Sequence, residues 1–556
     1  MKTYDYIIVG AGSAGCILAE RLSESGQYSV LVLEAGGKAD SFWFKIPVGF
    51  AKTYYDPACN WMYYSEPEAE LSNRKIYAPR GKVQGGSGSI NAMIHVRGAP
   101  RDFDDWAQAG NPGWSYRDVL PYFRKLETHE DGNTDLHGGS GPIHITSMKK
   151  GIHAITRSFL AACDQLGFKR SDDFNGAKIE GVGVYDVTTH NGQRASSNVA
   201  YLEPALKRGN VSIEHHALAR RVTFDGLRAT GIEVSQQGVH RTFNATREVI
   251  LCAGAVDTPK LLQLSGIGPK ELLARHGIAP VHALPAVGQN LQDHLCVSYY
   301  YRANMPTLNG DFGSWFGKLK LGIQYMLTRR GPLAMSVNQA GGFFSADPDS
   351  KLANLQLYFN PLSYQIPKSN RSQLTPEPYP GFLLAFNPCR PTSRGTIEIA
   401  SAKAEDAALI RGNYLSTQKD IDEVIQGSRL IRTNMQAPAL RAVTVEETLP
   451  GPGVDDDASM LQYFRDNSGS IYHLCGSCAM GPDPQTAVVD ARLRVHGIEA
   501  LRVVDASIFP NVTSGNINTP TMMVAEKGAQ MILDDAAAAP ARVQREASAT
   551  AASVSA

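Results

Sequence analysis

A chain of 556 residues is long for a single hydrophobic core, so two domains are the expectation. Lysine plus arginine and aspartate plus glutamate both number 54, which leaves no basic excess to point to nucleic acid or an acidic membrane. Eight cysteines without framework spacing suit a reducing, cytoplasmic setting, and no apolar run reaches the ~18 residues of a bilayer span.

In chain order, Tyr4-Asp5-Tyr6-Ile7-Ile8-Val9 reads as a strand running into Gly10-Ala11-Gly12-Ser13-Ala14-Gly15. The strand starts at once, leaving no room for a cleavable leader. A helical pattern follows (Cys16, Ile17, Leu18, Ala19, Leu22), and a second strand over residues 29–33 delivers Glu34. This is a β-α-β unit with three glycines at G-x-G-x-x-G spacing. One makes the tight turn, one admits a pyrophosphate to the backbone, and one lets helix and strand pack closely. Unpaired N–H groups at the helix start favour the diphosphate. Glu34 lies where an acid accepts hydrogen bonds from an adenosine ribose. The pattern predicts a dinucleotide and leaves NAD and FAD both open, because they share the ADP half.

Residues 35–80 form an irregular, aromatic-rich excursion (Phe42, Trp43, Phe44, Tyr54, Tyr55, Trp61, Tyr63, Tyr64), expected either to cover the cofactor or to pack over a sheet edge. A glycine- and serine-rich loop follows, from Arg80-Gly81 through Gly85-Gly86-Ser87 to Asn91-Ala92-Met93-Ile94. Residues 248–255 read as a buried strand ending in the small run Cys252-Ala253-Gly254, as suits a strand passing close to a ligand. From about 299 to 465 the text changes to longer strands and one amphipathic stretch, 315–328. The final third holds Ile471-Tyr472-His473-Leu474-Cys475, then Asp505-Ala506 after a short apolar strand, then Gly515-Asn516-Ile517-Asn518-Thr519-Pro520 opening a helix. Beyond Asp535 an Ala/Ser-rich tail lacks a core pattern and is expected to be disordered.

The segment 79–93 resembles the first signature of the glucose–methanol–choline (GMC) flavoprotein oxidoreductases, departing from it at Gln84 and Gly88. Residues 254–268 resemble the second signature, and 288–294 match a further family segment. The resemblance covers residues 4 to 533. It implies an α/β fold: a Rossmann-type FAD-binding domain (1–154, 206–296, 466–535) with an inserted antiparallel-sheet substrate domain (155–205, 297–465), PHBH-like, and a tail at 536–556. It implies FAD, held by Gly10, Gly12, Ser13, Ala14, Gly15, Glu34 and Ala35. The glycine-rich loop would add Arg80, Gly81, Gly85, Gly86, Ser87, Asn91, Ala92, Met93 and Ile94. Later contributions would come from Val222 (a backbone contact to adenine), Cys252, Ala253, Gly254, Asp505, Ala506, Asn518, Thr519 and Pro520. Family members that tether the flavin carry a histidine just before the residue matching Asn91; here Ile90 stands there, so non-covalent FAD is expected.

His473 matches the family's active-site histidine, and Asn518 is assigned as its partner; with Ile471 and Tyr472 they would touch the substrate. A hydride leaves an alcohol carbon readily only if a base takes the hydroxyl proton, and histidine suits that near neutral pH. Zinc at Cys475-x-x-Cys478 would need two more ligands, and no metal is expected. The reaction implied is oxidation of an alcohol to its aldehyde, with electrons passing to a non-oxygen acceptor such as a quinone or cytochrome. The alternatives are an oxygen-using oxidase, a hydroxynitrile lyase without a redox step, and a non-enzymatic flavin module. Tyr299, Tyr300, Tyr301, Phe312, Trp315, Phe316, Tyr325, Phe343 and Phe344, with Asp311 as the one acid among them, predict a neutral primary alcohol with an apolar body rather than choline or a sugar. Trp315, Leu319, Ile323 and Met326 share one helix face, expected to wall that pocket or to be core.

Overall fold

The computed structural model describes residues 2–345, 352–365 and 374–554. Two seven-stranded sheets dominate it. In the first, the strand Thr3–Val9 lies between Val30–Leu33 and Val239–Leu251, parallel to both. Val211–Glu214 extends the sheet on one side and Leu501–Val503 pairs with Val239–Leu251, again in parallel. An antiparallel meander, Ala217–Asp225 and Arg228–Gln236, completes it. Parallel strands are covered on both faces and so read as continuous apolar runs; Ile7, Ile8, Val30, Leu31, Val32, Val249, Ile250 and Leu251 are all fully buried.

Register then fixes where chemistry can occur. Val9 sits beside Leu33 and Leu251, and Leu251 beside Val503. The residues that follow these four carboxyl ends, Gly10, Glu34, Cys252 and Val504-Asp505, therefore converge on one edge. That edge of a doubly wound sheet is where ligands bind. Helix α1 (Ser13–Ser23) covers the sheet with Cys16, Ile17, Leu18, Ala19 and Leu22. Helix α2 (Gly254–Leu264) leaves the sheet from the strand Val239–Leu251.

The second sheet is antiparallel, with strands in the order Thr444–Leu449, Leu295–Ala303, Gly381–Pro388, Leu355–Asn360, Ala340–Phe344, Gly181–Val184. Side chains alternate across it with period two. Val297, Tyr299, Tyr301, Leu357, Phe359, Phe382, Leu384 and Phe386 form one core with Val424 and Ile431. Cys296, Ser298, Tyr300, Tyr358, Leu383 and Ala385 point the other way, into a cavity. Helix α3 (Trp315–Thr328) has the predicted bounds.

The last helix, α4 (Asn518–Val554), packs against α1. Buried Glu526 joins them, accepting from Arg21 Nη2 at 2.8 Å and Tyr201 Oη at 2.8 Å, with Lys125 Nζ at 3.1 Å. The stretch after Asp535, where a disordered tail is expected, continues this helix; alanine, abundant there, is the strongest helix former.

Candidate active site

A cavity of about 1200 Å³ opens between the carboxyl edge of the first sheet and the second sheet's inner-facing side. Most small-ligand sites are smaller, roughly 300–1,000 Å³, so there is room for a dinucleotide and a second molecule. The first sheet contributes Gly10, Gly12, Ser13, Ala14, Glu34, Ala35, Cys252, Ala253, Gly254, Asp505 and Ala506. The glycine-rich loop adds Arg80, Gly81, Gly86, Ser87, Asn91, Ala92, Met93 and Ile94.

These residues fit a dinucleotide on two independent grounds. The N-cap of α1 is Gly12, whose missing side chain leaves the helix start uncapped by any residue; a Cβ there would meet only the Cys252 carbonyl, at 3.9 Å. Those bare N–H groups suit an anion. Arg80, itself half-buried, has two buried guanidinium nitrogens, Nε and Nη2, with no hydrogen-bond partner in the protein. Glu34 Oε2 accepts from the Ala11 N–H at 3.0 Å and Oε1 from Gly36 at 2.8 Å, so the acid is aimed at the glycine turn; burial raises its pKa to about 7. Asp505 Oδ2 accepts from Gly254 N–H at 2.8 Å and Thr258 Oγ1 at 2.6 Å, which fixes the two strand ends together.

Five residues assigned to the cofactor from the sequence do not line the cavity. Gly15 is there for packing, since a Cβ would stand 1.9 Å from the Gly10 carbonyl. Gly85 (φ +90°) makes the turn behind the loop and donates its N–H to the Ala11 carbonyl. Thr519 Oγ1 bonds His95 Nδ1 at 3.0 Å, and Pro520 belongs to the first turn of α4. Val222 donates its N–H to Ser265 Oγ at the end of α2, and the residues of its strand that line the cavity are Ala217, Leu218 and Ala219.

Two asparagines, Asn516 and Asn518, line the cavity near the histidine, and they are bonded differently. Asn518 is the first residue of α4, and its Oδ1 accepts from Ser13 Oγ at 2.7 Å. Asn516, in the loop before the helix, instead presents Nδ2 to His473 Nε2 at 3.2 Å, and its Oδ1 is buried without a partner.

His473 is buried, and its other nitrogen identifies its tautomer. His294 Nε2 lies 2.8 Å from the Cys389 carbonyl, which can only accept, so this nitrogen carries a proton. Burial pushes the His294 pKa down to about 4, leaving the ring neutral with a lone pair at Nδ1. That lone pair faces His473 Nδ1 at 2.8 Å, so His473 must donate there. Its Nε2 then holds the lone pair, turned toward Asn516. Burial, then the neighbouring His294 and Arg80, hold the His473 pKa well below the usual histidine value. The backbone supports this placement: His473 N–H donates to Asp293 Oδ1 at 2.8 Å, and Tyr472 sits at φ +73°, a strained value for a non-glycine residue.

Around His473 the cavity is walled by Tyr54, Tyr300, Tyr358, Tyr364, Tyr472 and Ile471. Of the nine aromatics expected from 299–344, only Tyr300, Phe312 and Tyr325 reach it. Tyr299, Tyr301, Phe343 and Phe344 are core, and Trp315 and Phe316 are solvent-exposed. Of the stripe on α3 only Met326 reaches the cavity, at its rim: Trp315, Leu319 and Ile323 are exposed and line nothing, and the buried side of the helix is Gly317, Leu321 and Tyr325. The 42–80 excursion does cover the cavity, through Phe42, Trp43, Tyr54, Tyr55, Trp61, Tyr64 and Tyr77. Cys475 and Cys478 are free thiols, both fully buried and both pushed up by burial.

The GMC oxidoreductase family models match residues 4–296 and 391–525. Among curated relatives, the oxygen-dependent choline dehydrogenase of Vibrio vulnificus (strain YJ016) is 42% identical over 95% of this chain and 94% of its own. That of Proteus mirabilis (strain HI4320) is 41% identical over 95% of both. Among solved structures, pyridoxine 4-oxidase from Mesorbium loti superposes with a TM-score of 0.85 at 30% identity, over 95% of this chain and 98% of that one. A formate oxidase from Aspergillus oryzae RIB40, studied for its FAD modification, gives a TM-score of 0.88 at 26% identity over 96% and 98%.

Proposed function

Since this chain belongs to the GMC oxidoreductases, an FAD-dependent family acting on CH–OH donors, we propose that it oxidises a neutral primary alcohol to its aldehyde with His473 as base. The observation that carries this reading is the chain from the Cys389 carbonyl through His294 to His473 Nδ1, which leaves His473 Nε2 as the acceptor facing Asn516 at a cavity wall of tyrosines. Bound FAD, held by the glycine turn, Arg80 and the Gly254–Asp505 edge, supplies the hydride acceptor. The chain's own work is to place and deprotonate the alcohol. Asn516 Nδ2 and His473 Nε2 both reach one point, where a hydroxyl can accept from the amide and donate to the imidazole. As the hydride departs, the hydroxyl proton passes to Nε2. The resulting imidazolium is disfavoured by its burial, so the proton is readily given up and the base is regenerated.

The choice of substrate rests on charge. Among the described residues three carboxylates line the cavity, Glu34, Asp257 and Asp505, and all belong to the first-sheet side. Each is already engaged, Asp257 by the Tyr63 hydroxyl at 2.9 Å. Beside His473, the wall position on the strand Leu295–Ala303 is Cys296, a neutral thiol with its pKa raised to about 12. A cation in that region would meet tyrosines and neutral groups, with no carboxylate among the described residues. The rival reading is choline, named in the curated relatives, with the tyrosines serving as an aromatic cage. Comparing kcat/KM for benzyl alcohol, a medium-chain alkanol, choline and glucose decides between them. We expect the apolar alcohols to lead by about tenfold or more, the scale of discrimination by one pocket feature; a series led by choline would establish the rival. Electrons are then passed to a non-oxygen acceptor. Oxygen is the second reading there, favoured by the relatives' names, and oxygen uptake measured against dye reduction separates the two.

FAD is proposed to be non-covalent, because Ile90, within the first signature and buried, offers no nucleophilic nitrogen. Acid precipitation should leave the yellow colour in the supernatant, and a coloured pellet would contradict this.

A further inference from the structure

The exposed stripe on α3 is the largest concentration of outward-facing apolar side chains among the described residues. Trp315, Phe316 and Leu327 are 76%, 73% and 80% exposed, and Leu319, Ile323 and Met326 join them on the same 14-residue helix. Exposed apolar patches of this kind mark interaction sites. The polar complement is one-sided: Lys318, Lys320, Arg329 and Arg330 flank the stripe, and no acidic residue occurs between Phe312 and Arg330. A chain with equal numbers of acids and bases thus carries a strictly basic, apolar helix on its surface. Across the cavity mouth, Phe42 and Trp43 are also exposed, with Lys45 and Lys52 beside them. The two rims are adjacent, because the turn Pro47–Gly49 packs against Pro332–Ala334. Both rims line the same cavity, through Phe42 and Trp43 on one side and Leu321, Tyr325 and Met326 on the other.

From this we infer that α3 and the Phe42–Trp43 turn seat the enzyme on the surface of an anionic lipid bilayer, with the cavity mouth facing the lipid. Tryptophan, phenylalanine and leucine on one face with lysine and arginine around them is the composition of helices that lie in the headgroup plane. Charge decides against a second copy of this chain as the occupant, since pairing two such faces would set their cations against each other. Among the described residues no helix is long and apolar enough to cross a membrane, so attachment is to the surface. An apolar alcohol, or a lipid-soluble electron acceptor, would then reach the cavity without leaving the bilayer.

The test is co-sedimentation of the full-length holoenzyme with vesicles of phosphatidylcholine containing phosphatidylglycerol, against vesicles of phosphatidylcholine alone. Binding is expected to the anionic vesicles and to weaken with salt. W315S/F316S/L327S and, separately, K320E/R330E should each lower the bound fraction by about tenfold or more, while turnover of a water-soluble alcohol with a dye acceptor stays at the parent rate. Equal binding by parent and variants would overturn the inference, as would parent that stays in solution with anionic vesicles. A parent dimer that the triple variant converts to monomer would assign the face to a second copy instead.

Discussion

Replacing His473 with alanine is expected to slow anaerobic reduction of the bound flavin by an alcohol about 10²–10⁴-fold, the range for loss of a positioned base. Flavin content should change little, because the groups that fit the cofactor lie on the glycine turn, Arg80 and the strand ends rather than on this ring. The pH profile supplies a second check with a definite sign. The active form is the neutral imidazole, present above its pKa and lost as pH falls through it. Burial and the neighbouring His294 lower that pKa, so the rate should stay level through neutrality and decline only well below the ordinary ~6.5 of histidine. A loss smaller than about tenfold, or an inflection above that value, would move the base to another residue.

His294→Leu should have the next largest effect, although His294 is a positioning residue and touches no reacting atom. Its Nδ1 is the acceptor that holds the His473 proton on Nδ1. Without it, His473 can carry that proton on Nε2 instead, where it would donate toward the alcohol rather than accept. Loss of a tautomer-fixing partner costs a serine hydrolase ~10⁴-fold; a neutral histidine in that role should be worth about 10–10³-fold in flavin reduction. His294→Gln, whose amide oxygen can accept the same hydrogen bond, should recover a large part of the rate. If Leu and Gln variants were equally slow while both bound FAD, His294 would be a packing residue and the tautomer argument would fail.

Sequence legibility followed the physics of each segment. The β-α-β unit was readable because parallel strands are apolar on both faces and the glycines leave no alternative to a tight turn; Gly10, Gly12 and Glu34 stand where expected. His473, which the motif singles out, lines the cavity. Asn516 was missed for Asn518 because two asparagines two residues apart cannot be ranked without knowing which begins the helix. In the second sheet the error was one of parity. Tyr299, Tyr300 and Tyr301 alternate sides, and nothing local says which side is the cavity. For α3, periodicity located an apolar face but carried no information on what that face meets. His294 ends the matched segment 288–294 but gets no role from sequence: its partners are a carbonyl and a ring brought from Cys389 and His473, 95 and 179 residues away.

The bond from Ser13 Oγ to Asn518 Oδ1 spans 505 residues, and it lies at the glycine turn itself. Leu501–Val503 likewise adds its strand beside one that starts at Val239, and Glu526 accepts from Arg21 on the first helix. During synthesis, then, the first βαβ unit emerges early and waits through nearly the whole message for the pieces that close it. Until residue 526 leaves the ribosome, α1 has an uncovered apolar face and Arg21, paired only with its near neighbours Glu20 and Glu24, lacks its buried partner. Such long-range closure makes folding slow and exposes the nascent chain to aggregation. Cofactor loading is thereby confined to the finished polypeptide, and cells starved of flavin should accumulate this enzyme as insoluble or degraded chain rather than as a soluble apoprotein.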